Sequence, residues 1–421
     1  FIDHVMGWSR DLPLCIIVLT RPELLERQSD WGTGVGSTSI ALSPLDRPSM
    51  VQLLEGLVPG LPDAARVRIV DRADGIPLYA IETVRMLVSD GRLVLEDGAY
   101  RPSADLTELE TPESLWALVA SRLDSLDPAD RRLLQAAAVI GHTFSTAGLA
   151  VVTGTAAEAL EPRLRALVRR EMLVLEADPR SPERGQYAFA QELLREVAYE
   201  TLAREDRKID HLAAARYFEA LGADELAGAL ATQYQAAHRN TRPGGEADAL
   251  AVQARLSLRG AARRAKTLGA TAQAQELYEA ALELASDQVD EAELLTAAAE
   301  VAVMAGHTPV AQEEYRRAIA IYRELGDRSA AARASAGLVD ATLHDGWQRE
   351  KARTIAREAA REYEDLGDDE GLARLLGQLA RLEMLIQDDF DVAIAVADRT
   401  LAMAERVDAP EIVADALITR G

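Results

Sequence analysis

Cysteine is nearly absent from this sequence: Cys15 is the only one in 421 residues, which excludes an internal disulfide framework. Its place in the apolar run Leu12 to Leu19 predicts a buried structural thiol. Lysine is almost as scarce, at Lys208, Lys266 and Lys351. Aromatic residues make up 5%, too few for a core built mainly on rings. No run of 18 apolar residues occurs, and neither a signal-peptide pattern nor a lipidation motif is present, so a cytoplasmic location and no membrane partner are expected. Positive charge is also in deficit, with 46 basic against 69 acidic residues and a net charge of −23. A reader of phosphate backbones needs a positive footprint, which makes a nucleic-acid partner unlikely on composition.

The shortage of lysine bears on nucleotide chemistry. A phosphate-binding loop needs glycines that bare the backbone amides and a lysine followed by serine or threonine. Gly32-Thr-Gly-Val-Gly-Ser-Thr38 has the glycines without the lysine and precedes a strand, so it reads as a surface loop. Lys266-Thr267 closes Gly260-Ala-Ala-Arg-Arg-Ala-Lys266, but Ala265 replaces the second glycine and the segment lies in a helical repeat. The six histidines are scattered with no metal spacing, so no metal site is expected. The acidic runs Asp368-Asp369-Glu370 and Asp388-Asp389 read as solvated helix starts rather than a catalytic pair.

What is abundant is alanine, leucine, arginine and glutamate, side chains that lose little rotamer freedom in a helix, and 48% of residues are hydrophobic. A mainly α protein of several parts follows. Residues 1–110 read as mixed: Pro13 to Thr20 has the β-branched content of a buried central strand, Thr38 to Leu42 suggests a second strand, helices fall near 46–57, 62–73 and 77–90, and Leu93 to Tyr100 suggests a hairpin turned at Asp97-Gly98. Residues 111–205 run helix, helix, helix, hairpin, helix, the order of a winged-helix domain, with the hairpin at Met172–Ala177 and Gln186–Phe189.

From residue 206 to 421 every strong segment has helical period, and the segments repeat. Leu277-Tyr278, Ala281 and Leu282 follow Gly269 as Glu314-Tyr315, Ala318 and Ile319 follow Gly306, a shift of 37; Tyr322-Arg-Glu-Leu-Gly-Asp327 and Tyr363-Glu-Asp-Leu-Gly-Asp368 are 41 apart, with a weaker copy at Ala404 to Asp408. Paired helices at this period predict a tetratricopeptide-like α-solenoid, whose concave surface holds a protein or small-molecule inducer. Tyr315, Ala318, Ile319 and Tyr322 should face inward, as should Ala356, Ala359, Ala360 and Tyr363.

Two features could touch a nucleotide. Arg21 follows the run ending at Thr20, at the carboxyl edge where α/β sheets bind ligands, and Gly75-Ile-Pro77 opens a helix. With Trp8-Ser-Arg-Asp-Leu-Pro13, Thr20-Arg-Pro-Glu-Leu-Leu25, Asp74-Gly-Ile-Pro-Leu-Tyr79, Ser121-Arg-Leu-Asp-Ser-Leu126, Ala137-Ala-Val-Ile-Gly141 and Leu194-Arg-Glu-Val-Ala-Tyr199, the stretch from Phe1 to about Arg204 resembles the signal-transduction ATPases with numerous domains (STAND), notably bacterial members fused to class III adenylate cyclase or LuxR-type outputs.

The resemblance implies that residues 1–110 are the C-terminal part of a P-loop ATPase module with its helical subdomain. Arg21 would sense the γ-phosphate end of ATP or ADP, Gly75 and Pro77 would pack near the adenine, and the winged helix would clamp the nucleotide. Gln191 stands where such proteins usually carry histidine. The phosphate loop and the magnesium-binding strand would lie upstream of Phe1, so ATP hydrolysis and magnesium belong to a full-length parent, which could be a slow ATPase and assemble in a nucleotide-dependent way.

The leading expectation is a regulatory ATPase fragment that couples a nucleotide-gated module to a sensing solenoid. A plain repeat adaptor is one alternative. Another is a DNA-binding transcription regulator using Arg163, Arg165, Arg169 and Arg170. The chain by itself should neither hydrolyse ATP nor hold it tightly, because the phosphate cradle is missing. Calorimetric titration with ATP and ADP checks this, and tight magnesium-dependent binding would refute it.

Overall fold

Short polar caps and αL residues mark the ends of several helices in this mainly helical protein. The computed structural model describes residues 12–20 and 37–420 apart from 97–98, 104–105, 107–111, 113, 178–183, 347, 368 and 387–389, and before residue 37 also Ile2, Val5, Trp8, Ser9 and Leu24. The chain forms two compact units, Phe1–Ser125 and Leu126–Gly421.

In the first unit, α1 (Arg47–Leu57) is capped by Asp46, whose carboxylate accepts the Ser49 amide at 2.9 Å. Helix α2 (Asp63–Ala73) ends on left-handed Asp74, and α3 (Pro77–Ser89) begins on a proline whose missing N–H costs nothing in the first turn. Strands β1 (Leu93–Glu96) and β2 (Ala99–Pro102) pair antiparallel with Glu96 opposite Ala99, and α4 (Leu115–Asp124) follows. The turn residues Asp97 and Gly98 lie outside the described residues. Met50, Leu54, Ile69, Tyr79, Leu87 and Leu118 share one core. Inside it the Glu82 carboxylate meets the buried Arg122 guanidinium and, at 2.6 Å, Arg85.

Three expectations fail in this unit. Residues 13–20 form no strand, and Ile17 and Leu19 are 84% and 88% exposed. Cys15 is exposed rather than buried. Residues 38–42 are likewise irregular and exposed. A central strand needs ladder partners on both edges, and among the described residues none pairs with either segment.

The second unit begins with α5 (Pro128–Ile140), β3 (Thr143–Phe144), α6 (Thr146–Thr153), α7 (Ala157–Arg169), β4 (Leu173–Leu175), β5 (Tyr187–Phe189) and α8 (Glu192–Glu200). β5 runs antiparallel between β3 and β4. The rings of Tyr187 and Phe189 lie 6.2 and 6.0 Å from that of Phe144, an aromatic cluster across two neighbouring strands of the small sheet.

From Arg204 the chain is a helical-repeat array. It comprises α9 (Arg204–Leu221), α10 (Ala227–Asn240), α11 (Gly245–Thr267), α12 (Thr271–Leu282), α13 (Gln288–Met304), α14 (Thr308–Leu325), α15 (Arg328–His344), α16 (Arg349–Glu362), α17 (Glu370–Ile386), α18 (Phe390–Arg406) and α19 (Pro410–Arg420). Each helix packs on the next across a short connection, which makes neighbours antiparallel, and α15 also packs on α17. Gly269 and Gly306 end α11 and α13 at φ of 74° and 77°, a conformation that costs glycine no side-chain clash. Gly326 ends α14 in the same way at φ 76°, and in the weakest copy Asp408 takes that position after α18, at φ 55°. Asp369 caps α17 by accepting the Leu372 amide; Asp368, Asp388 and Asp389 lie outside the described residues.

Small residues set the spacing. Ala318, Ala331, Ala334, Ala356 and Ala373 are fully buried at helix contacts, while Tyr278, Tyr315 and Tyr363 fill the spaces between pairs. Of the eight residues expected to face inward, seven are buried and Ala360 is half-buried.

The array joins the preceding helices through buried polar contacts. His211 on α9 places Nδ1 2.6 Å from Gln233 Oε1 on α10 and Nε2 2.9 Å from the Tyr199 hydroxyl on α8. Gln233 Nε2 donates to the carbonyls of Val139 and Ile140 at the end of α5, at 3.2 and 3.4 Å. Arg132 on α5 grips both oxygens of buried Asp210 at 2.8 and 2.6 Å. Burial lowers the His211 pKa, consistent with a neutral ring that donates from Nδ1 and accepts at Nε2.

Because Ala318 is fully enclosed, Ala318→Arg buries an unpaired charge at a cost of about 3–5 kcal/mol. Hydrogen exchange should show lost protection in α13 to α16 with residues 128–200 still protected. Uniform loss over the whole chain, or none, would show that the repeat register is wrong.

Candidate functional site: the groove of the repeat array

The residues expected to meet a nucleotide are divided between the two units. Arg21 lies outside the described residues. Gly75 and Pro77 sit together at the α2–α3 turn of the first unit, whereas Gln191 occupies the start of α8 in the second. Gly75 is at φ 77°, and a Cβ there would lie 2.6 Å from the Leu45 carbonyl oxygen and 2.7 Å from Pro44 Cβ. Its missing side chain thus lets residues 44–45 cross the turn, with the Leu45 amide bonded to the Gly75 carbonyl at 2.8 Å. Gln191 opens α8, its carbonyl accepting the Leu194 and Arg195 amides.

The concave feature of the second unit is formed by α11, α13, α15, α17 and α19, with tyrosines from α12 and α14 reaching between them. Two hollows of about 740 and 620 Å³ share Thr296, Glu300 and Arg333 as lining. The larger is lined by Tyr315, Asp340, Arg374, Gln378 and Arg381, and ends on the apolar side chains of Met384, Leu385, Ile412 and Ile418. The smaller adds Arg259, Arg263, Lys266 and Glu293.

Bare backbone seats Tyr315 in the wall of the larger hollow. Gly337 on α15 lies under the Tyr315 ring, where a Cβ would come within 2.3 Å of the ring carbon Cζ. The ring is buried, yet its hydroxyl has no hydrogen-bond partner among the described residues. Burial and then the carboxylates of Glu300, Asp340 and Glu314 push its pKa up, so the hydroxyl remains a proton donor. Gln378 Oε1 is buried and also lacks a partner.

The groove's cations differ in how they are occupied. Lys266 pairs with Glu300 at 2.5 Å and Arg259 with Glu293 at 2.7 Å. Arg381 lies 3.7 Å from Asp340, and Arg374 lies 3.5 and 3.8 Å from Glu370 and Glu411, beyond normal hydrogen-bond length. Arg263 and Arg333 have no carboxylate within ion-pair distance among the described residues. In the sequence Arg333, Gly337 and Asp340, like Arg374, Gln378 and Arg381, follow the spacing of one helix face, which marks a shared face but not what that face meets. Among the described residues no cluster of three metal-binding side chains forms, and no helix is long and apolar enough to cross a membrane.

No protein-family profile matches the chain, and no curated protein matches it. Among solved structures, a STAND protein with a tetratricopeptide-repeat sensor from Pyrococcus horikoshii is similar over 92% of this chain and 58% of its own, at 13% identity and a TM-score of 0.34. The chain thus spans less than two thirds of that protein. A circular tandem repeat protein with a novel repeat topology is similar over 90% of this chain and 77% of its own, at 15% identity and a TM-score of 0.18. Scores this low carry no functional inference.

Glu314, adjacent in sequence to Tyr315, has a buried Oε2 without a hydrogen-bond partner. Burial, and secondarily the Glu279 charge, raises its pKa to about 7. Since the folded pKa exceeds the unfolded one, the unfolded chain ionises first as pH rises from about 4.5, and stability is lost up to about pH 7. Glu314→Gln should therefore raise Tm at pH 8 and change it little at pH 4.5, as followed by circular dichroism. An equal effect at both pH values would remove the carboxyl as the cause.

Proposed function

We propose that this chain is the sensing portion of a nucleotide-switched signal-transduction protein. The array holds a protein or small-molecule inducer in its groove, and the region before it belongs to the switch. The groove carries this reading: it is a continuous concave surface whose Tyr315 hydroxyl and whose guanidinium groups on Arg263 and Arg333 are not used to hold the fold. The STAND-like motifs from Phe1 to Arg204 support the nucleotide side of the reading. So do the buried contacts of His211, Gln233 and Asp210, which give the array a rigid attachment to the helices around the β3-β5-β4 sheet. We read that sheet and its helices as a winged-helix-like element, within a three-part organisation of 1–110, 111–205 and 206–421.

ATP or ADP is proposed for a parent protein that supplies a phosphate loop and, with it, magnesium. The space beside Gly75 is filled by Leu45 and Pro44, so no phosphate group enters at that turn. Arg21, Gly75, Pro77 and Gln191 would then flank the nucleotide rather than enclose it. A DNA-reading role finds less support: on α7, Arg163 is bound to Asp130 at 2.6 Å and Arg165 to Glu161 at 3.1 Å.

Coupling between two sites is reciprocal, so the switch can be tested before the inducer is known. In a parent carrying the phosphate loop, exchanging ADP for ATP should alter amide protection in α13 and α15 at least severalfold. Identical protection of the array in both nucleotide states would sink the switch reading.

A further inference from the structure

Resting on the sensor reading, we propose that the inducer class is an acidic, extended peptide laid along the groove, its carboxylates met by Arg263, Arg333, Arg374 and Arg381. The first ground is a reversal of charge. The two hollows are lined by six cations and four carboxylates, in a chain whose net charge is −23. A local positive field on so acidic a surface selects a negative ligand and repels it elsewhere.

The second ground is unused bonding capacity. Lys266 and Arg259 are neutralised by close carboxylates, but Arg374 and Arg381 hold theirs only loosely, and Arg263 and Arg333 hold none among the described residues. Each free guanidinium fork can take a carboxylate through two parallel hydrogen bonds. A peptide also presents backbone carbonyls, to which the Tyr315 hydroxyl on the wall of the larger hollow can donate.

The third ground is length. The hollows are joined through Thr296, Glu300 and Arg333 and span five helices. At about 8–10 Å between helix axes, that is roughly 40 Å, which takes about twelve extended residues. The apolar end at Met384, Leu385, Ile412 and Ile418 suits a leucine-like side chain among the acids. Nucleic acid is the disfavoured polyanion, because Glu293, Glu300, Asp340 and Asp415 interrupt the cations where a continuous phosphate chain would lie.

The test is fluorescence anisotropy of a labelled twelve-residue peptide alternating glutamate and leucine, titrated with the full chain in low salt. Saturable binding is expected, at least tenfold weaker for the glutamine–leucine counterpart. Arg333→Glu and Arg381→Glu should each weaken it at least tenfold at unchanged Tm, while Arg333→Lys retains most of it. Equal binding of the two peptides, indifference to Arg333→Glu, equal or tighter binding of a twelve-nucleotide oligothymidylate, or displacement by millimolar succinate or phosphate would each overturn the proposal. These failures are separable from failure of the sensor reading. A groove that binds the peptide in a parent whose array ignores nucleotide state is an acidic-peptide adaptor, whereas a nucleotide-responsive array that does not distinguish the peptides is a sensor for another ligand class.

Discussion

No helix pair in this array can cover its own apolar face, and most of the second unit follows from that constraint. Each pair must be closed by the next, so burial proceeds from neighbour to neighbour rather than around a central core. Alanines at the closest contacts, such as Ala318, Ala331 and Ala373, bring the backbones together, and the tyrosines at 278, 315 and 363 fill what the alanines leave open. The same geometry turns the inner faces of α11, α13, α15, α17 and α19 toward a shared hollow that no further helix covers. The groove is therefore a by-product of stacking, and function needs only the choice of side chains that line it.

Charged groups buried between elements do a different job from the apolar contacts. Glu82 with Arg122 in the first unit, Asp210 with Arg132, and Glu383 with Arg357 at 2.7 Å between α17 and α16 each place an acid in the interior. Removing water from such pairs offsets much of their attraction, so they add little net stability. Their value lies in register: a helix displaced by one turn would leave an unpaired buried carboxylate, a cost of several kcal/mol that apolar sliding does not incur.

How much of this was legible in the sequence depended on period and length. Helices α1 to α3 appeared within a residue or two of their ends because a proline, an aspartate cap or a glycine marks each boundary. The repeat was legible because Tyr315 and Tyr363 each return the neighbours of an earlier tyrosine, and even Asp408 keeps the positive φ of the glycines it replaces. Residues 13–20 misled because β-branched composition speaks for a strand without supplying the strands beside it. The two residues of β3 are too few to show any period. Gly75 was legible as special, though its neighbours Pro44 and Leu45 give that a structural cause. The groove cations stayed hidden because an arginine on an amphipathic helix looks the same whether its face meets solvent or a ligand; only the missing carboxylates around Arg333 separate the two.

The contacts of Gln233 have a further effect on how the molecule comes apart. One side chain holds His211 through its oxygen and the end of α5 through its nitrogen, so two consecutive helices and a third far off in sequence depend on a single amide. Helices α9 and α10 thereby share the fate of the globule before them, while later pairs depend only on their neighbours. Under load or heat the array should fray from its α19 end and stop at this seam, which makes α9 and α10 the abutment of the solenoid rather than its first span.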